Sequence, residues 1–134
     1  MATAVVEYLG DLRTKCTHLK SGVEVITDAP TDNNGKGESF SPTDLVATAY
    51  ASCMLTIVGI FCNSKDIKFN HARAEVTKGM GSGPRRISSL KITIDFSGND
   101  WDEKVQKRII AAAEACPVAK SVHDDMEITT TYTF

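Results

Sequence analysis

SPTDLVATAYASCMLTIVGIFC, residues 41–62, is the stretch on which the reading of this chain turns. Ser41 is a natural N-cap, Pro42 suits the first helical position, and Asp44 completes a capping box, so a helix opens here. From Leu45 to Cys62 no residue is charged. That length touches the lower limit for a membrane span. Thr48, Tyr50, Ser52 and Thr56 argue against a span, as does the ordinary globular pattern of the remaining sequence. The preferred reading is a helix that is apolar all round and buried inside the protein. One sheet of a 134-residue chain does not easily cover both faces of such a helix. The equivalent helix of a second copy would, so the pattern suggests an intertwined homodimer.

Upstream of the helix, residues 3–9 and 12–19 read as two strands joined around Gly10-Asp11, a pair that favours a tight turn. Ser21-Gly22 turns the chain into a short third strand, Val23–Ile26. Thr27–Phe40 is loop by composition, with Pro30, Asn33-Asn34-Gly35 and Gly37, and its length suggests a role near a site. Downstream, Ile67–Lys78 and Ile87–Phe96 alternate as strands of a hairpin. Their connection, residues 79–86, lacks the Gly-Lys-Ser/Thr and following helix of a phosphate-binding loop. A second helix is expected from about Asp100 to Ala115, capped by Asn99 or Asp100, with Val105, Ile109, Ala112 and Ala113 on one side. Pro117 stops it, and a short helix begins there. Glu127–Phe134 is the last strand. The order βββ-α-ββ-α-(short α)-β defines an α+β fold with a largely antiparallel sheet, in one domain spanning residues 1–134.

Composition narrows the function classes. With 42% hydrophobic and 24% charged residues the chain is globular rather than disordered. A net charge of −2 gives no basic footprint for nucleic acid or for an anionic membrane. No basic, apolar leader opens the sequence, so a cytoplasmic address is expected. The four cysteines, Cys16, Cys53, Cys62 and Cys116, are too widely spaced for a zinc site or a secreted disulfide scaffold. The three histidines are dispersed. His123-Asp124-Asp125 reads as a solvated helix end rather than a metal site, so neither metal nor cofactor is expected.

The thiols are then judged by their surroundings. Cys116, just before Pro117, would cap the short helix. Backbone N–H groups and the helix dipole would lower its pKa there. The alternative is a small apolar residue at a helix break. Cys53 lies mid-way along the apolar helix, where desolvation raises a thiol's pKa. It reads as core filler unless a cation or donor from elsewhere points at it. Cys62, nine residues on, is half a turn out of phase and faces away from Cys53. Cys62 and Cys16 read as structural.

The run Ser41-Pro42-Thr43-Asp44-Leu45, followed by Ala49-Tyr50-Ala51-Ser52-Cys53, resembles the OsmC/Ohr family of organic hydroperoxide resistance proteins. The Cys116-Pro117 step after the second helix resembles that family's second cysteine, and the order of elements fits over essentially the whole chain. The resemblance implies an antioxidant, peroxiredoxin-like thiol peroxidase acting on organic hydroperoxides, built as an intertwined homodimer. Cys53 would attack the O–O bond and become a sulfenic acid; Cys116 would resolve it as a disulfide; an external dithiol would restore both. The family's Arg from the N-terminal strands maps to Arg13. Its Glu at the helix start maps to Thr43, with Asp44 beside it and Glu38 upstream. Ten helical residues rise ~15 Å, so a group at 43 or 44 reaches Cys53 only from a partner subunit. That substitution places the chain among divergent members. It keeps a second class open, a non-enzymatic dimeric module that binds a small ligand or senses redox state.

Overall fold

The computed structural model describes all 134 residues, Met1–Phe134. The chain forms two compact units, Met1–Val46 and Ala47–Phe134.

The first unit is a three-stranded antiparallel meander, β1 (Ala4–Gly10), β2 (Arg13–His18) and β3 (Glu24–Asp28). Gly10 pairs with Arg13, leaving Asp11-Leu12 as a two-residue loop. Both loop residues have positive φ, 54° and 64°. That is the backbone a tight hairpin needs to match strand twist, and it sits one residue later than the expected Gly10-Asp11 turn. β3 runs two residues beyond the expected Ile26, because Thr27 and Asp28 pair with Thr14 and Arg13. The stretch after β3 is irregular apart from one 3₁₀ turn, Thr31–Asn33.

Helix α1 (Pro42–Ser64) begins as its cap predicts. Ser41 Oγ accepts from the Asp44 N–H at 3.1 Å, and Asp44 Oδ2 accepts from the Ser41 N–H at 2.9 Å, a reciprocal box. Ala47, Tyr50, Ala51, Met54, Val58 and Cys62 are buried along one face. The opposite side is open at Val46 and Ile60. Within this chain the helix is therefore covered on one side only. By length and composition it is the one helix long and apolar enough to cross a membrane, with a third of that stretch buried.

The second unit holds β4 (Arg73–Gly81), β5 (Arg86–Asp95), α2 (Glu103–Glu114) and β6 (Glu127–Thr133). β4 and β5 form the expected antiparallel hairpin. β6 pairs with β5 in parallel. A parallel neighbour needs a long crossover, which α2 and its flanking turns supply. The fold is thus α+β with two three-stranded sheets, antiparallel except at β5–β6. Leu90, Ile92 and Ile94 of β5 join the buried face of α1 and Ile109 and Ala113 of α2 in one core.

Three details depart from expectation. Residues 67–72 are not strand, because side chains hold their backbone instead. The Trp101 indole donates to the Lys68 carbonyl at 2.9 Å, and Asn99 Oδ1 accepts from the Asn70 N–H at 2.7 Å. Asn99 is therefore a loop tie, not a helix cap. The cap of α2 is Asp102, whose Oδ1 accepts from the Val105 N–H at 2.9 Å. The short helix expected after Pro117 is absent; Lys120 N–H to Pro117 O and Ser121 N–H to Val118 O, at 3.1 and 3.0 Å, make consecutive turns.

Candidate functional site

Cys53 and Cys116 meet. Cys53 sits half-buried on α1, between the buried Met54 and the exposed Ser52. Cys116 lies immediately past Ala115, where the Ala115 N–H to Ala112 O bond at 3.1 Å closes α2, and it is fully buried. Cys53 packs against the core cluster that holds Cys116 and is close enough to affect its ionisation, although 63 positions separate them in sequence. All four cysteines are free thiols.

The electrostatics of Cys116 reverse the expectation of a lowered pKa. Its Sγ does accept from the Ala119 N–H, at 3.3 Å, as an N-cap would. No helix follows, however, so no macrodipole adds to that bond. Burial is the larger effect and pushes the thiol up; the Ala119 amide pulls it back, and the adjoining Cys53 thiol raises it further. Cys116 is a protonated thiol near neutrality rather than a poised thiolate. Cys62 is fully buried on the core face of α1, half a turn from Cys53, and burial raises its pKa too. Cys16 lies half-buried on β2, with only Thr14 Oγ1 near its sulfur at 3.8 Å.

In the first unit, Arg13 opens β2 and is held by two carboxylates. Its Nη2 donates to Glu38 Oε2 at 2.5 Å and to Asp28 Oδ2 at 3.4 Å. Asp28 is almost completely buried, and its Oδ2 also accepts from the Glu38 N–H at 3.1 Å. That amide and the Arg13 guanidinium hold its carboxyl below the usual range against the cost of burial. Its other oxygen, Oδ1, has no partner. Of the three candidates near the helix start, Glu38 is the one on Arg13. Asp44 closes the α1 cap, and Thr43 Oγ1 lies 3.2 Å from Ser41 Oγ.

Three residues of this chemistry escaped the sequence reading. Asp28 fell in a stretch read as loop, although its cross-strand register with Arg13 was the available signal. Tyr50 and Glu114 line a cavity of about 260 Å³ together with Met54, Ile128 and Thr130. The sequence marks neither, because each lies in an ordinary amphipathic or apolar helical run. No group of three or more His, Cys, Asp or Glu side chains is arranged to hold a metal.

A sheet–helix fold with a cysteine on its central helix touching a second one past α2 is the arrangement of a thiol-bearing α+β protein. The profile of the OsmC-like protein family matches residues 35–131. The chain belongs to that family. A crystal structure from Psychrobacter arcticus 273-4, provisionally named an osmotic stress induced and detoxification response protein, is 52% identical over 98% of this chain and 96% of its own, with a TM-score of 0.92. The organic hydroperoxide resistance protein OsmC of Legionella pneumophila shares the fold at 15% identity, with 100% of this chain and 98% of its own covered and a TM-score of 0.74. So does an organic hydroperoxide resistance protein of Vibrio cholerae with captopril bound in one of its active sites, at 15% identity, 98% and 92% coverage and a TM-score of 0.76. Among functionally curated proteins there is no match.

Proposed function

We propose that this protein is a cytoplasmic thiol peroxidase that reduces organic hydroperoxides to alcohols. The observation that carries the reading is the contact between a half-buried Cys53 and a fully buried Cys116. Cys53 attacks the distal peroxide oxygen as a thiolate, the O–O bond breaks, and the alkoxide leaves as an alcohol after taking a proton. Cys53 is then a sulfenic acid. Cys116 condenses with it, water leaves, and the pair is a disulfide. An external dithiol returns both sulfurs to thiols. Arg13 is the proposed cation for the Cys53 thiolate, with Glu38 and Asp28 as the carboxylates that orient it.

The protein acts as a homodimer in this proposal. The support is the apolar surface that a single chain leaves open: Val5, Val6, Tyr8 and Leu9 on β1, and Ile60 on α1. A second copy is the partner for an all-apolar helix covered on one side.

Replacing Cys53 by Ser is expected to abolish consumption of cumene hydroperoxide, and undiminished turnover in that variant would rule the peroxidase out. One observation favours a second reading, a dimeric ligand-binding or redox-sensing module: Thr43 stands where the family carries Glu. Mass spectrometry after substoichiometric hydroperoxide separates the two. A peroxidase forms the Cys53–Cys116 disulfide rapidly, whereas a binding module stays reduced.

A further inference from the structure

The cavity of about 260 Å³ in the second unit is walled by α1, the end of α2 and β6. Tyr50 and Met54 are four residues apart on α1, so they lie on one face of that helix. Ile128 and Thr130 are two apart on β6, so they share one side of the sheet. Glu114, the last residue of α2, completes the lining. Neither Cys53 nor Cys116 borders this space, and no Lys, Arg or His does. The wall therefore carries one negative charge, two hydroxyls and two apolar side chains, with no cation.

Two of these groups lack partners. Tyr50 is 6% exposed, yet its hydroxyl makes no hydrogen bond to protein. A buried phenol ordinarily finds one, so an unpaired one at a cavity wall points to something that fills the cavity. Glu114 forms no ion pair. The Tyr132 hydroxyl donates to its Oε1 at 3.3 Å, which steadies the carboxylate and leaves Oε2 without a protein partner. The Thr130 hydroxyl is the third oxygen-bearing group on the wall. Met54 and Ile128 supply the apolar remainder.

We propose that this cavity is a binding site for a small primary alkylammonium ion, separate from the thiol pair. A primary ammonium carries three N–H donors and one positive charge, as a lysine head does. The wall offers it the Glu114 carboxylate and the Tyr50 and Thr130 hydroxyls, while Met54 and Ile128 receive the hydrocarbon stem. An anion would meet Glu114 with no cation to offset it. A neutral alcohol would leave that charge uncompensated. A calcium-like ion takes 6–8 oxygen ligands, more than these three groups supply, and no metal-holding cluster is present. The volume falls below the ~300–1,000 Å³ of sites for drug-sized molecules, so the stem is a few carbons long.

Methyl-labelled methionine gives a direct test, because Met54 lines the cavity while Met1, Met80 and Met126 do not. The full-length, reduced protein is titrated with n-butylammonium chloride at constant ionic strength, and the methyl resonances are followed by NMR. The Met54 signal is expected to shift and saturate, with the other three nearly still. 1-Butanol and butanoate are expected to produce no saturable shift. Glu114→Gln keeps the shape of an exposed side chain and removes its charge, and should weaken binding about tenfold or more. Tyr50→Phe removes one neutral hydrogen bond and should weaken it roughly three- to tenfold. Unchanged Met1, Met80 and Met126 signals in each variant show that the fold is intact. A Met54 signal that does not respond means a cavity holding water only, and overturns the proposal. So does 1-butanol binding as tightly as butylammonium, or a folded Glu114→Gln variant that keeps the wild-type affinity.

Discussion

Arg13 and Asp28 face each other across β2 and β3 as direct register partners, with Nη2 3.4 Å from Oδ2. Asp28 is the buried member, and it serves two masters: the guanidinium and the Glu38 amide. Both prefer the carboxylate, so its pKa is lower folded than unfolded. A depressed carboxylate contributes stability that is present above the ordinary carboxylate pKa of about 3.9 and lost as pH falls through the folded value. Asp28→Asn is therefore expected to melt below the wild type at neutral pH. The gap should begin to close as pH drops below about 4 and vanish only once pH has passed the lower folded value, where the wild-type carboxyl is also neutral. Melting curves over that range check it; a gap that persists unchanged into acid would show that charge is not the cause.

The β1–β2 turn stores a small strain. Leu12 occupies φ 64° and is exposed, so it pays for a left-handed backbone without packing in return. For an ordinary L-residue that conformation costs roughly 1–2 kcal/mol, while glycine's extra freedom when unfolded takes back roughly 0.5–1. Leu12→Gly, which creates the Asp-Gly pair that such turns favour, is expected to stabilise by about 0.5–1 kcal/mol. Urea unfolding measures this, and a loss of stability would mean that Leu12 has an apolar partner outside the single chain.

What the sequence disclosed followed from local signals. The α1 cap, the apolar run from Leu45 to Cys62 and the alternation of β5 each carry a period or a capping pattern in a few residues, and all three elements form as read. The contact of Cys53 with Cys116 was reached through family resemblance, since physical reading made Cys116 the low-pKa thiol. That reading counted a helix dipole that does not exist and left out the burial that outweighs it. Asp28, Tyr50 and Glu114 stayed hidden because their roles come from neighbours distant in sequence. The segment 67–72 misled for the same reason: Asn99 and Trp101 take the backbone groups that a strand partner would otherwise have used.

Asp102 rather than Asn99 or Asp100 caps α2, and the correction has a measurable consequence. Its Oδ1 takes the Val105 N–H, one of the donors a helix start leaves without a partner. Asp102→Ala is expected to cost about 1 kcal/mol. Asp100→Ala makes no such change at the helix end and should be near neutral. Chemical unfolding of the two variants side by side decides between the caps, and equal losses would contradict the assignment.

Cys62, Cys116 and Tyr50 all ionise less readily in the folded protein than in the unfolded chain, each with burial as the leading cause. For an acid whose folded pKa is raised, the unfolded state loses its proton first. The resulting stability is whole below the unfolded thiol value of about 8.5 and drains away as pH rises past it. The reduced protein should therefore lose melting temperature steadily above that pH, while neutral solution sits on a plateau. Cys62→Ala removes one titrating group from the core and should flatten the alkaline slope, even though the smaller side chain lowers the plateau itself. The same burial predicts that alkylating the native, reduced protein at neutral pH modifies Cys53 and Cys16 well before Cys116 and Cys62. Peptide mapping after timed alkylation reads that order. Cys116 labelling as fast as Cys53 would mean that its pocket opens in solution, and the argument from burial would fail with it.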